Sequence, residues 1–345
     1  MNLVLPYRQH TLTLTTMPAV NIPALQERER VQSDFLVLER ADKKTANGDP
    51  FAILTLGNSS GRIDTSPIWS DKLDWADGAD RGKVVQAIGD IALYGRNGTA
   101  KRQLALSAPL RVIPANQVDV LSFLETVGDC TPIWDWLDKQ RTAMQSRTLK
   151  SVVDLFFAND QFRVRFERTP GSPSSHHAKL GGLLLHTFEV ASIARATART
   201  TRANQDLVFA GALLHDIGKV EAYEVAATGF SITPCGLLLG HVVLGALMLE
   251  RALARPGSPI CTEGQILELQ HMILSHHGSL EFGSPVQPMT VEAEIVHWAD
   301  EASAKASDMS DSIEDLANFA SGRETSDVKP WRVRRHVYRR AHGWD

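Results

Sequence analysis

The run "ALLHDIGK", residues 212–219, begins as an apolar helix face and ends in His215, Asp216, a glycine turn and Lys219. Imidazole nitrogen beside carboxylate oxygen is a donor set for Mn, Fe, Co, Zn or Ni, and carboxylate with water suits Mg. In a chain with 12 histidines, roughly one His-Asp pair arises by chance, so the dipeptide needs partners to mean anything. It has them. Nine of the 12 histidines fall between His176 and His297, and the important ones sit on or at the end of an apolar helical run. His186 lies in "LLLHT", His241 in "LLGHVV", His276 and His277 in "ILSHHG", and Asp300 in "IVHWAD". Any one of them would be an ordinary core histidine. Five apolar helices all delivering His or Asp describe a metal cavity between helices.

Lys219 follows His215 by about one turn, so its ammonium can reach the same cavity and hold a phosphate. His297 shares a face with Asp300, which suits support of a ligand or a phosphate contact. His176, His177 and Lys179 sit in the Gly/Pro/Ser-rich loop "TPGSPSSHHAKLGG" (169–182), where they could line the substrate entrance. His271 and His336 read as structural.

The elements that must position these groups divide the chain. With 345 residues, two domains are the default. From about 31 to 114 the sequence is β-prone: "DFLVLER", "FAILTLG", "GRIDTSPIW", "KVVQAIGDIALYG" and "QLALSAPLRVIP" are five strand candidates, with Asn47-Gly48 as a hairpin signal. Five short strands in so little chain favour a small β-barrel of the OB type. Residues 1–30 are then an N-terminal extension, in which Met17 is an alternative start. Residues 115–168 read as a helical connector, 169–320 as an all-α bundle, and 321–345, with arginines from Arg332 to Arg340, as a basic C-terminal tail.

Net charge is −4 and the pI about 6.3, so no global basic field advertises a polyanion partner, and any such site must be local. Three cysteines without metal-ligand spacing argue for a reducing compartment, and no continuous apolar run marks a signal peptide or a membrane span. The expectation is a cytoplasmic protein with no membrane partner.

His186, His215-Asp216 and Asp300 match the H…HD…D pattern of the HD-domain metal-dependent phosphohydrolases, and His241 and His276 match the extra histidines of their two-metal members. The blocks "HHAKLGGLLLHTFEV", "GALLHDIGKV", "LGH" and "ILSHHGSLEFGSPVQPMTVEAEIVHWADEASAK", preceded by an OB-like domain, resemble the YhaM-type 3′→5′ exoribonucleases from about residue 31 to 310. The resemblance implies two divalent ions, Mn²⁺ before the alternatives Mg²⁺, Co²⁺, Fe²⁺, Zn²⁺ and Ni²⁺. His186, His215, Asp216 and Asp300 would hold the first, His241 and His276 the second, and Asp216 would bridge them. His277 stays open between ligand, substrate contact and support. Asp216 and Lys219 are the residues expected to carry catalysis, with the metals activating water and neutralising phosphoryl charge. One departure stands out: Leu185 occupies the position where a Glu is expected before His186.

The implied activity is trimming of single-stranded RNA, or DNA, from the 3′ end to nucleoside 5′-monophosphates, with a homo-oligomer a further possibility. The barrel would grip the strand, with Lys43, Lys44, Phe51, Arg62 and Trp69 offering charge and stacking surfaces. Two rivals remain at this level: an HD phosphohydrolase of small nucleotides, and a non-catalytic nucleic-acid-binding factor stabilised by metal. The barrel argues against the first and a complete two-metal ligand set against the second.

Overall fold

A computed structural model describes residues 19–94, 101–226, 229–320 and 322–344. The chain divides into two compact units, Met1–Leu124 and Glu125–Asp345. The expected N-terminal extension lies outside the described residues as far as 18, Met17 included.

The first unit is a five-stranded barrel. Strands β1 (Arg30–Lys44), β2 (Pro50–Asn58), β3 (Gly61–Thr65), β5 (Val84–Tyr94) and β6 (Lys101–Leu106) pair in the order 1-2-3-6-5, and β1 pairs with β5 to close it. The short β4 (Ile68–Trp69) joins β2, and β7 (Arg111–Ile113) joins β5. All the barrel pairings are antiparallel except β3 with β6, and this order with one parallel closure is that of an OB-fold. Alternation sets the core: Ala52, Leu54 and Leu56 of β2 point inward against Phe35, Val37, Ile63, Val85 and Leu104. Each such side chain contributes about 1.5–3 kcal/mol by leaving water. Residues from Val20 to Leu25 are not a loose extension, because Ile22 and Leu25 are buried in this core and Arg102 holds the carbonyls of Pro23 and Leu25.

The second unit is helical: α1 (Thr131–Thr142), α2 (Arg147–Phe157), α3 (Asp160–Arg168), α4 (Gly182–Ala198), α5 (Gln205–Leu214), the single turn α6 (Lys219–Ala222), α7 (Pro234–Leu253), α8 (Glu263–Ser275) and α9 (Val291–Glu314). Caps fix where they begin. Ser146, Asn159, Asn204, Thr233 and Thr290 each accept a backbone N–H of the first turn, and Thr262 with Gln265 forms a capping box. α5 is apolar on all sides, and every residue from Leu207 to Leu214 is buried, which makes it the central helix.

Four expectations change here. Residues 125–168 are not a separate connector: Trp134, Phe157 and Phe166 share one core with Leu183, Phe209 and Ile273. The stretch 169–320 is not all helix: α5 ends at Leu214, and a hairpin, β8 (Tyr223–Ala226) with β9 (Gly229–Ile232), follows α6. The C-terminal residues are not a detached tail, since Val337 is buried, Thr325 bridges to Tyr338, and Arg332 reaches Asp308 and Asp311 of α9, while Arg334, Arg335, Arg339 and Arg340 stay exposed. Contrary to the expectation from composition, α7 is long and apolar enough to cross a membrane. It is nonetheless broken at Gly240 (φ 72°, ψ 156°), and Met248, Leu249 and Ala252 pack into the helical core.

Candidate metal centre

Helices α4, α5, α7, α8 and α9 converge their ligand side chains on Asp216. α5 and α8 both stop at the site, with His215 and His276 as their C-caps, so each aims the partial negative charge of its C-terminus at whatever cation sits there. α4 contributes His186 and α9 contributes Asp300. α7 contributes His241, the residue after its break at Gly240.

The two oxygens of Asp216 face different partners. Oδ2 lies 3.3 Å from His186 Nε2 and 3.2 Å from His215 Nε2, and His186 Nε2 lies 3.0 Å from Asp300 Oδ1. Oδ1 lies 3.4 Å from His241 Nε2 and 3.6 Å from His276 Nε2. His277 joins this second group, its Nε2 3.3 Å from that of His241. His186, His215 and Asp300 thus form one cluster of ligand atoms and His241, His276 and His277 another, with a carboxylate oxygen turned to each.

Three of the imidazoles are held with Nε2 free of the hydrogen. His215 Nδ1 is 2.8 Å from the Ala212 carbonyl, His276 Nδ1 is 2.7 Å from that of Ile273, and His277 Nδ1 is 2.6 Å from that of Phe282. A carbonyl only accepts, so each Nδ1 carries the hydrogen and each Nε2 turns a lone pair to the cavity. Burial pushes His276 well below the ordinary imidazole range and His241 down to about 3, so both are neutral at physiological pH. Asp216 is held far below the carboxylate range, because Lys219 and His215 beside it outweigh the burial that would raise it.

These groups fit divalent metal. Asp216 Oδ1 and His276 Nε2 are buried without a hydrogen bond, a cost of about 1–3 kcal/mol each unless a cation receives them. The donor set, imidazole nitrogens and carboxylate oxygens around a shared carboxylate, suits a divalent transition metal. Lys219 stands in the same cluster, 4% exposed, with Nζ 2.6 Å from Asp216 Oδ2.

His297 does not reach the donor atoms. Its Nδ1 donates to the His276 carbonyl at 2.8 Å, and its ring packs where a Cβ on Gly278 would come within 2.3 Å of it. The expected entrance group separates: His176 stacks its ring 5.3 Å from that of His186, whereas His177 is buried and turned to Glu189, not to solvent. Lys179 is half-buried in the same loop, its N–H on the His177 carbonyl. His271 accepts the Met289 N–H and His336 holds the Ser326 carbonyl, both outside the cluster. Tyr223, absent from the sequence-based set, stacks 6.3 Å from His241, and burial together with Asp216 raises its phenol against the lowering pull of Lys219. Only the unexpected β8 could have revealed it.

On the barrel, Lys43, Phe51 and Trp69 occupy facing positions on β1, β2 and β4, with the Phe51 and Trp69 rings 5.2 Å apart and Trp69 49% exposed. Lys44 is exposed one position on, facing the alternate way by strand parity. Arg62 pairs with Gly57, six residues along β2 from Phe51 and so about 20 Å away. The barrel therefore groups three of the five expected residues.

Residues 183–305 match the HD domain family model. The 3′-5′ exoribonuclease YhaM of Bacillus subtilis (strain 168) is 30% identical over 83% of this chain and 88% of its own length. The enzyme of the same name from Bacillus pumilus (strain SAFR-032) is 32% identical over 83% and 88% respectively. Among solved structures, the HD domain of the L. monocytogenes phosphodiesterase PgpH covers 38% of this chain and 74% of its own at 24% identity and a TM-score of 0.26. With its barrel, its HD helices and this identity along most of both chains, the chain belongs to the YhaM 3′-5′ exoribonuclease family.

Proposed function

We propose that the protein is a metal-dependent 3′→5′ exoribonuclease that releases nucleoside 5′-monophosphates from single-stranded RNA. The observation that carries the hydrolytic chemistry is Asp216, one oxygen turned to His186 and His215 and the other to His241 and His276. The polarity and the RNA substrate come from the relatives, which bear that activity in their names. Divalent ions in the two clusters would supply an activated water and offset charge on the phosphoryl oxygens.

The chain's own residues do the rest. Asp216 holds both clusters in register. Lys219 neutralises Asp216 when metal is absent and offers its ammonium to a phosphate when metal takes over that carboxylate. His277 acts in the His241 cluster, and His297 fixes the carbonyl behind His276. Mixed nitrogen and oxygen donors favour Mn²⁺ over Mg²⁺ as the working ion. Lys43, Phe51 and Trp69 offer a strand one cation and a stacked aromatic pair. Three free thiols, Cys130, Cys235 and Cys261, suit a cytoplasmic setting.

The test is a gel time course on 5′-labelled single-stranded RNA and DNA with Mn²⁺, with EDTA and Asp216→Ala as controls. A ladder receding from the 3′ end of RNA, lost in both controls, is the expected result. An intact substrate with folded, metal-loaded protein would overturn the reading.

A further inference from the structure

Leu185 leaves His186 without the adjacent carboxylate expected there, yet the fold supplies one from a turn further along α4. His186 Nδ1 lies 2.9 Å from Ser303 Oγ of α9, Ser303 Oγ lies 2.6 Å from Glu189 Oε2, and Glu189 Oε2 lies 3.0 Å from His177 Nε2. Proton accounting gives the chain a direction. A carboxylate only accepts, so the single proton of the Ser303 hydroxyl goes to Glu189. Ser303 must then accept from His186, which places a hydrogen on Nδ1 and leaves Nε2 as the atom facing Asp216 and Asp300.

Among the imidazoles of the two clusters, His215, His276 and His277 use a main-chain carbonyl for this purpose, and His186 uses a hydroxyl backed by a carboxylate. That arrangement makes His186 the more basic donor. The far end is anchored at a cost. His177 is buried at φ 51°, a conformation side chains other than glycine rarely adopt, and its carbonyl is held by the N–H groups of Gly171 and Lys179. His177, His186 and Glu189 are close enough to suggest a third metal cluster. The Ser303 hydroxyl already bridges His186 to Glu189, and Glu189 Oε2 already accepts two hydrogen bonds, so a hydrogen-bonded relay describes the trio better.

We infer that Ser303 and Glu189, anchored by His177, are positioning residues that fix the orientation and donor nitrogen of His186. The inference rests on His186 being a metal ligand. It assigns Ser303 and Glu189 no contact with substrate, only with the ligand and with each other.

The experiment is equilibrium titration of full-length, metal-stripped protein with Mn²⁺, read as the free-ion electron paramagnetic resonance signal, with circular dichroism to confirm folding. Wild type is expected to bind two ions. Ser303→Ala and Glu189→Ala should weaken one of the two by about 10- to 100-fold while leaving the other unchanged. Ser303→Thr, which keeps the hydroxyl, should recover most of the loss, and His186→Ala should remove the same ion. Both ions binding to Ser303→Ala and Glu189→Ala as in wild type would overturn the relay and leave the ligand assignment standing. So would a Ser303→Thr variant as weak as Ser303→Ala, or a third ion in wild type that Glu189→Ala abolishes. No Mn²⁺ binding by wild type would overturn the ligand assignment and the relay together.

Discussion

Gly218 packs against the main chain of His241 so closely that a Cβ on it would lie 2.0 Å from the His241 carbonyl oxygen. The same atom would stand 2.4 Å from the amide nitrogen of Gly245. The glycine of "HDIGK" is thus the contact that lets the turn after α5 press against α7, bringing His241 to Asp216. Gly218→Ala has no flexible side chain to push aside, only backbone. We expect a loss of about 1–3 kcal/mol in urea unfolding, the range for overpacking a close contact, together with weaker Mn²⁺ binding at the His241 cluster. Unchanged stability and metal affinity would show that the contact is slack.

Lys219 and Asp216 are buried together, so removing either leaves the other's charge without its partner. In metal-stripped protein a double-mutant cycle with Asp216→Asn and Lys219→Met should give a favourable coupling on the order of 3 kcal/mol. The double variant should be more stable than Asp216→Asn alone. Additive single effects would mean that the nearby histidines, not Lys219, balance Asp216.

The cluster histidines were legible because each lies on or at the end of an apolar run: His215 and His276 cap α5 and α8, while His186 and His241 sit within α4 and α7. Gly218 and Gly278 stood in view as motif letters, but their reason is a distance, to the His241 backbone and the His297 ring. Ser303 and Glu189 were hidden by the opposite problem. Leu185 suggested that no carboxylate stood behind His186, whereas the carboxylate arrives one turn later through a serine of another helix. The β8–β9 hairpin was missed because 169–320 reads as helix throughout, whereas the single turn α6 stops at Ala222 and the chain becomes extended from Tyr223. Arg332 was not legible as a packed residue, since its partners, Asp308 and Asp311, are acidic residues of α9 more than twenty positions away.

The histidines also set the acid limit of the metal-free protein. Burial holds His241 down to about 3, His176 down to about 2, and His276 well below 6.5. A histidine lowered on folding adds stability above its unfolded value near 6.5 and loses it as pH falls towards the folded value. His186 runs the other way: burial would lower it, but Asp216 and Asp300 raise it, so its contribution is complete below 6.5 and fades as pH rises through its folded value. Three lowered against one raised predicts net acid destabilisation between pH 6.5 and about 3. Each lowered histidine is worth about 1.4 kcal/mol per pH unit in that window. Calorimetry of EDTA-treated protein should therefore show Tm falling from pH 7 to pH 5. A Tm that is flat or rises on acidification would contradict the burial of these imidazoles in neutral form.

The barrel can be tested separately from the chemistry through Trp69. Its ring is half exposed, sits 5.2 Å from that of Phe51, and shares a face with Lys43, whereas Phe35 and Leu54 are sealed inside. A ring that only packed would gain by being covered; one left open beside a second aromatic and a cation is placed for a base. Stacking one base is worth about 1–3 kcal/mol, so Trp69→Ala should raise KM for a single-stranded RNA about 5- to 100-fold. Hydrolysis of bis-p-nitrophenyl phosphate should not change, since that ester carries no strand for the barrel to hold, and kcat on RNA should stay within about twofold. Equal losses on the ester and on RNA would mean that Trp69 supports the fold and not the substrate. Phe51→Leu serves as the companion, keeping the packing of that face while removing one stacking surface, and it should give the same split with a smaller rise in KM.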